Sequence, residues 1–276
     1  DKTTGKRVSF GLVRMANINP CVDVAKYLMH TSWPDDIDVK ILCYHSRQIL
    51  LLRHVEEKYL DTVLRRKYDD NVPVNITDSV IRQHLAKSKA HAVLFILVST
   101  PVEEVGRDHD FDWAVIEPSS YRSIIQLSGR IRRHRPQNKD INHCNVAVIQ
   151  YNKRGIENAY IAFAHPGFEG KDTCIMKSHD MELIGNPEIL ASGINSIPRI
   201  KKRETLHPQI NLCDLEQQVM VNMNDANDAG PASIPGWIYE YWWMSAVPLV
   251  LKRFRRDNTI NHEVYVFYNG KERTMK

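Results

Sequence analysis

Apolar runs of strand length alternate with amphipathic stretches of helical period through the first half of the chain, the pattern of parallel strands joined by helical crossovers. Arg7 to Met15 (RVSFGLVRM) reads as the first strand, and Asn19-Pro20 then opens a helix with proline in its first turn that buries Val22, Val24, Ala25 and Leu28. Val39 to His45 (VKILCYH) is a second β-rich run. Ser46 is placed to cap the long helix that follows, on which Leu50, Leu51, Val55, Tyr59 and Leu60 recur at helical spacing. A capping signal at Thr77-Asp78 begins a third amphipathic stretch, Val80 to Lys89, which leads into Ala92 to Ser99 (AVLFILVS). That octet is apolar almost throughout, as a strand covered on both faces has to be. A strand at Asp112 to Pro118, a helix from about Ser119 to His134 and a strand at Asn145 to Tyr151 complete the series. Five strands interleaved with helices predict an open α/β sheet.

After Tyr151 the periodicity weakens. HPGFEG, GNPE, SIPRIKKRE and NDANDAGPASIP are turn or linker signals, with one helical stretch near Leu215 to Val221. Order returns at Trp237 to Phe254, aromatic-rich and helical in pattern but interrupted by Pro248, and VYVFYNGKE is a strand entering an Asn269-Gly270 turn.

The 276 residues carry 37 Lys and Arg against 33 Asp and Glu, a formal charge of +4, with 43% hydrophobic residues. The length lies above that at which single cores stop growing and predicts two domains. The apolar fraction excludes wholesale disorder, and no run of about 18 uncharged apolar residues exists to span a bilayer. The opening DKTTGKRVSFG lacks the features of a signal peptide, so a cytoplasmic location is expected. Five scattered cysteines without a C-x-x-C pair argue against a disulfide framework or thiolate zinc, and close pairings such as His262 with Glu263, or His45 after a strand, lack a second ligand at helical spacing, so no resident metal is expected.

Two segments carry chemistry. Ser99-Thr100-Pro101-Val102-Glu103-Glu104-Val105-Gly106-Arg107-Asp108 follows the buried strand directly. A hydroxyl pair at a strand's carboxyl end offers hydroxyl and main-chain N–H donors to a phosphate, while the alternative is an ordinary strand-to-helix loop. Some twenty residues on, Gln126, Arg130 and Arg133 fall at i, i+4 and i+7 of a helix and share a cationic face. Guanidinium groups held this way suit the oxygens of a transferring phosphoryl group, and the alternative is a solvated basic face.

The first of these segments resembles motif V of superfamily 2 helicases, and Gln126-x-x-Gly129-Arg130-x-x-Arg133 matches their motif VI, with order and separation in agreement. GLVRMANINP, CYHSR, LDTVLRRK and TPVEEVGRDHDFDWAVIEPSSYRSIIQLSGRIRRHR resemble more closely the type I-F branch of the CRISPR-associated helicase-nucleases. The resemblance implies an α/β fold with a RecA-like parallel sheet flanked by helices over residues 1–152. A linker and irregular connecting region would follow over 153–234, and a small mixed α/β C-terminal accessory domain over 235–276. It implies that Arg130 and Arg133 face the γ-phosphate of ATP, that Gly106 and Asp108 lie beside the ribose, and that Gln126 couples this face to the other lobe. Asn17, Ser46, Arg47, Ser99 and Thr100 would contact the backbone of single-stranded DNA. Two positions depart from the family pattern: Pro101 replaces a polar residue and removes an N–H donor, and Arg107 replaces an aliphatic one.

No G-x-x-x-x-G-K-[ST] segment and no D-E-x-H run is present, so the cradle for ATP and magnesium is expected in a first lobe outside these residues. Nor is there an H…H-D…D nuclease cluster; His109-Asp110 reads as structural. By itself the chain is expected neither to hydrolyse ATP nor to cut DNA. The implied partners are an RNA-guided CRISPR surveillance complex, adaptation proteins and an anti-CRISPR inhibitor. The alternatives are a lobe of another superfamily 2 translocase of restriction type, or a non-catalytic docking module. Lys201-Lys202-Arg203 reads as solvated charge in a linker. Lys252-Arg253-Phe254-Arg255-Arg256, beside Trp237, Tyr239, Tyr241, Trp242 and Trp243, reads as domain packing or as a stacking surface for single strands.

Overall fold

The five predicted strands pair into one sheet. The computed structural model describes residues 1–65, 68–69, 72–104, 106, 108–134, 143–171, 173–201, 203–225, 233–240, 266–268 and 273–275. In it β1 (Arg7–Arg14), β2 (Ile37–Tyr44), β3 (Ala92–Ser99), β4 (Trp113–Ile116) and β5 (Val146–Val148) run in the order β2-β3-β1-β4-β5, every pair parallel. The register sets Tyr44 opposite Ser99, Ser99 opposite Arg14, Arg14 opposite Ile116 and Ile116 opposite Val148. The strands therefore end level, and their following loops all leave from one straight edge.

Side chains alternate across each strand with period two, and both sides of the sheet are apolar. Phe10 and Leu12 of β1 and Val93, Phe95 and Leu97 of β3 belong to one cluster with Leu60, Val63 and Leu64 of α2 (Leu50–Leu64), Ile81 and Leu85 of α3 (Ser79–Lys87), and Tyr121, Ile124 and Leu127 of α4 (Tyr121–Ser128). Val13, Leu94, Ile96 and Val98 face the other way, against Cys21, Val24, Ala25 and Leu28 of α1 (Ile18–His30). On that second side Gly11 makes room for Trp113, whose Nε1 donates to Ser9 Oγ at 3.0 Å; a Cβ at position 11 would lie 2.1 Å from the indole.

Two helices differ from their sequence patterns. The helix read from 119 to 134 stops at Ser128. Gly129 caps it, the N–H groups of Arg130 and Ile131 turn back to the carbonyls of Leu127 and Ser128, and Ile131 instead bridges to Phe111. Glycine's low helix propensity costs about 1 kcal/mol there, and a tertiary strand-like partner takes the next residues. α2 begins at Leu50 rather than after Ser46. Gln48 closes the intervening turn, accepting from His45 N at 3.0 Å and donating to Cys43 O at 2.9 Å, so Ser46 caps nothing. Leu50, Leu51 and Val55 are exposed, and the buried face of α2 lies in its last turn.

The change of texture at residue 152 is not a boundary in packing. Ala162, Phe163, Met176, Met181, Ile184 and, on α5 (Leu212–Met223), Leu212 and Leu215 join the first cluster, and one compact unit runs from Asp1 to Val219. The weak periodicity has a structural cause, since the only helices between Lys153 and Asn211 among the described residues are single turns at Lys153–Ile156, Met181–Ile184, Pro187–Ala191 and Ile197–Ile200. The second unit, Met220–Lys276, contains α6 (Ile234–Tyr239) and an antiparallel pair, β6 (Val266–Tyr268) with β7 (Arg273–Met275). Tyr241 to Phe254, Lys252 to Arg256 and the Asn269-Gly270 turn lie outside the described residues.

Candidate functional site

The residues implied for the nucleotide and DNA contacts lie at strand ends or on loops leaving the level edge, or on α4 and the turn after it. Asn17 follows β1 as the N-cap residue of α1, half-buried in extended conformation, with no hydrogen bond from its side chain to the helix. Ser46 and Arg47 occupy the β2–α2 turn, Ser46 half-buried and Arg47 exposed. Ser99 ends β3 and Thr100 precedes a 3-10 turn, Pro101–Glu103, with Thr100 N donating to Tyr44 O at 3.2 Å. Both hydroxyl residues are buried, as is Glu103, while Pro101 and Val102 of the 3-10 turn are half-buried. Because β2, β3 and β1 are neighbours, these three loops stand side by side.

The two motif segments, some twenty residues apart in sequence, are laced into one structure. Phe111 N donates to Arg130 O at 2.9 Å and Arg132 N to Phe111 O at 2.8 Å, a short parallel bridge. His134 N donates to Asp110 Oδ2 at 3.0 Å, and His134 Nε2 stands 2.7 Å from Asp108 Oδ1. Arg133 Nη1 lies 3.5 Å from the same Asp108 oxygen, with the two side chains 45% and 53% exposed. The His134 hydrogen bond, with the Arg133 and Arg65 charges, holds the Asp108 carboxyl below the usual carboxylate range. Gly106, exposed with φ +67°, makes a left-handed turn that glycine adopts without strain.

Arg130 and Arg133 do not share a helical face, as the i, i+4, i+7 spacing predicted, because the helix has ended before them. Arg130 is 5% exposed and donates from Nη2 to Glu104 O at 2.8 Å. Burial lowers its pKa, against the raising influence of Glu103, Asp108 and Glu104. Arg133 is the accessible guanidinium of the pair, and Gln126 is exposed on the last turn of α4. The Arg133–Asp108 contact is an exposed ion pair of the kind worth about 0–1 kcal/mol.

Beneath this surface lies a buried polar layer that the sequence did not announce. Arg14, wholly buried at the end of β1, donates from Nε to Glu104 Oε1 at 2.8 Å, from Nη1 to Glu117 O at 2.7 Å and from Nη2 to Ser119 Oγ at 2.7 Å; Nη2 also reaches Glu104 Oε1. Ser123 Oγ donates to the other Glu104 oxygen at 2.9 Å. Glu117 accepts from Ala16 N and, at 2.7 Å, from Lys153 N. His109 is buried between Glu103 and Asp61, while its neighbour Asp110 accepts from His134 N, so each has a structural partner other than the other. One signal was present in the sequence: an arginine in an apolar strand and two successive glutamates after a buried strand all demand partners. Arg203, read as solvated charge, pairs with buried Asp214 at 2.9 Å, and Arg199 lies 3.4 Å from Glu216, whose carboxylate receives the first amides of α4. Lys202 lies outside the described residues.

Among the described residues no group of three or more His, Cys, Asp or Glu side chains is placed to hold a metal ion, and no helix is long and apolar enough to cross a membrane. All five cysteines are free; Cys21 and Cys43 approach to 3.9 Å between sulfurs.

Residues 7–136 match the family model described as CRISPR-associated nuclease/helicase Cas3, C-terminal. The chain is 39% identical over 245 residues to the CRISPR-associated nuclease/helicase Cas3 subtype I-F/YPEST of Pseudomonas aeruginosa (strain UCBPP-PA14), an alignment covering 89% of this chain and 22% of that protein. Against the protein of the same description from Pectobacterium atrosepticum the identity is 38% over 218 residues, covering 78% and 19%. Among solved structures, T. fusca Cas3 with AMPPNP is 18% identical, with a TM-score of 0.34 over 52% of this chain and 15% of that one. The chain thus spans about a fifth of the length of the curated relatives it matches.

Proposed function

The chain belongs to the CRISPR-associated nuclease/helicase Cas3 family, and from that membership we propose that its parallel sheet is the second motor lobe of an ATP-driven helicase-nuclease that tracks along single-stranded DNA. ATP and its magnesium sit mainly on a first lobe, and closure of the two lobes brings Arg133 to the phosphates. Arg130, behind it, holds the turn and adds a second positive charge to the same wall. Asp108 and Gly106 border the ribose, and Gln126 meets the opposite lobe. Asn17, Arg47, Ser46 and the Ser99-Thr100 turn follow successive phosphates of the strand, so cleft opening and closing become steps along it. The motor feeds DNA to a nuclease domain after recruitment by an RNA-guided surveillance complex; adaptation proteins and an anti-CRISPR inhibitor are further partners. By itself this portion neither hydrolyses ATP nor cuts DNA.

The observation that carries this reading is the lacing of the two segments, which leaves Arg133 exposed on a pinned turn beside Asp108. A guanidinium preorganised in this way can be worth about 10³–10⁵ in rate. In the full-length protein, Arg133→Ala is expected to lower DNA-stimulated ATP turnover by about 10³-fold or more while leaving the thermal unfolding temperature in place. Unchanged turnover rejects the assignment.

A further inference from the structure

We infer that Arg14 and Glu104 are a positioning pair that couples strand contact to the nucleotide-facing turn, a role that rests on the function proposed above and deepens it. Glu104 lies between the two candidate contacts. On one side it closes the 3-10 turn that follows Thr100, its N–H donating to Pro101 O at 2.9 Å. On the other, its carbonyl receives Arg130 Nη2 at 2.8 Å, and Arg130 begins the turn that carries Arg133. The position of Glu104 is in turn set by its carboxylate, of which one oxygen takes Arg14 and the other takes Ser123 Oγ at 2.9 Å.

Arg14 is itself fixed from three elements. It ends β1, three residues before Asn17, and its guanidinium binds the Glu117 carbonyl after β4 and the Ser119 hydroxyl before α4. A displacement of the loops that grip a strand therefore reaches Arg130 through two charged side chains and one carbonyl, with no solvent between them, since Arg14, Glu104 and Arg130 are all buried. In such a setting the planar guanidinium, meeting one Glu104 oxygen with both Nε and Nη2, fixes direction as well as distance, which a lysine ammonium does not. Arg14 and Glu104 touch neither ligand; they act through Thr100 and Arg130.

The test is ATP turnover of the full-length protein with and without single-stranded DNA, read as the ratio of the two rates. Glu104→Gln keeps the shape and loses the charge; the DNA-stimulated rate is expected to fall about ten-fold more than the basal rate. A purely structural role lowers both rates in proportion and leaves the ratio unchanged, which overturns the inference. If the buried Arg14 charge prevents Glu104→Gln from folding, Ser123→Ala decides the matter. It removes the second anchor of the Glu104 carboxylate, together with the hydroxyl that accepts from Ser120 Oγ at 2.9 Å, and the ratio is expected to fall about three-fold; an unchanged ratio overturns the inference. Arg133→Ala in the same assay separates the two ideas. Unchanged turnover there rejects the Arg133 assignment on which the inference rests, whereas a collapse there with an unaltered ratio in the Glu104 and Ser123 variants rejects the coupling alone.

Discussion

Glu169 shows how a single carboxylate can hold an irregular loop. Its oxygens accept from Ala162 N at 2.8 Å, Phe163 N at 2.9 Å and Met176 N at 2.9 Å, and His179 Nε2 stands 3.1 Å away. Burial pushes the carboxyl up, but the three amides and the imidazole outweigh it and hold it below the usual carboxylate range. A carboxyl depressed in the folded state stabilises the fold above its unfolded pKa of about 4.3 and loses that contribution as pH falls through the folded value. Unfolding free energy is therefore expected to drop on acidification below about pH 4, and Glu169→Gln to cost about 1–3 kcal/mol at neutral pH while flattening the acid limb, as read from urea titrations at several pH values. Nothing in HPGFEG announces this, because glutamate's partners are backbone amides whose positions exist only after folding. Arg133, Asp108 and Gln126 could be singled out for the opposite reason: each sits in a short motif whose residues are near one another in sequence. Arg14 and Glu104, 90 positions apart, could not be paired by any local pattern.

Among elements, the strands were the most legible, since an apolar run between turn signals has few other uses; Ala92–Ser99 agrees at both ends. Helix ends were less so. At the start of α3 the local signal holds, with Asp78 Oδ1 accepting from Val80 N at 2.9 Å and Ile81 N at 3.1 Å, and Tyr59 Oη donating to it at 3.1 Å. At the end of α4 it fails, because Phe111 competes for Ile131 and wins it. Asp78→Ala is expected to destabilise the chain by about 1 kcal/mol and Asp78→Asn by less, measured by denaturant midpoint at constant slope. The beginning of α2 was misread because Leu50, Leu51 and Val55 have the spacing of a core face without occupying one. Periodicity reports which residues share a side of a helix, and packing decides which side is covered.

At the scale of the molecule, the first 152 residues do not close their own core. Phe163, Met176, Leu212 and Leu215 lie in the same cluster as Ile124 and Leu127, so a chain cut after residue 152 exposes that surface. Truncation after Val219 is expected to leave one cooperative unfolding transition, and truncation after Asn152 to broaden or abolish it, a difference that calorimetry resolves. The sequence showed where regular alternation stops; it could not show that helices of a single turn still contribute core, because one turn is too short for a period to emerge.

The common finishing line of Tyr44, Ser99, Arg14 and Ile116 makes loop length a ruler. Thr100 stands one residue past it, Ser46 two and Asn17 three, and each added residue extends reach by at most about 3.3–3.6 Å. A one-residue insertion in any of these loops would displace its tip by up to that distance and so would spoil its alignment with the other two. Relatives with the same spacing of these three tips should tolerate exchange of whole loops, and those with altered spacing should not.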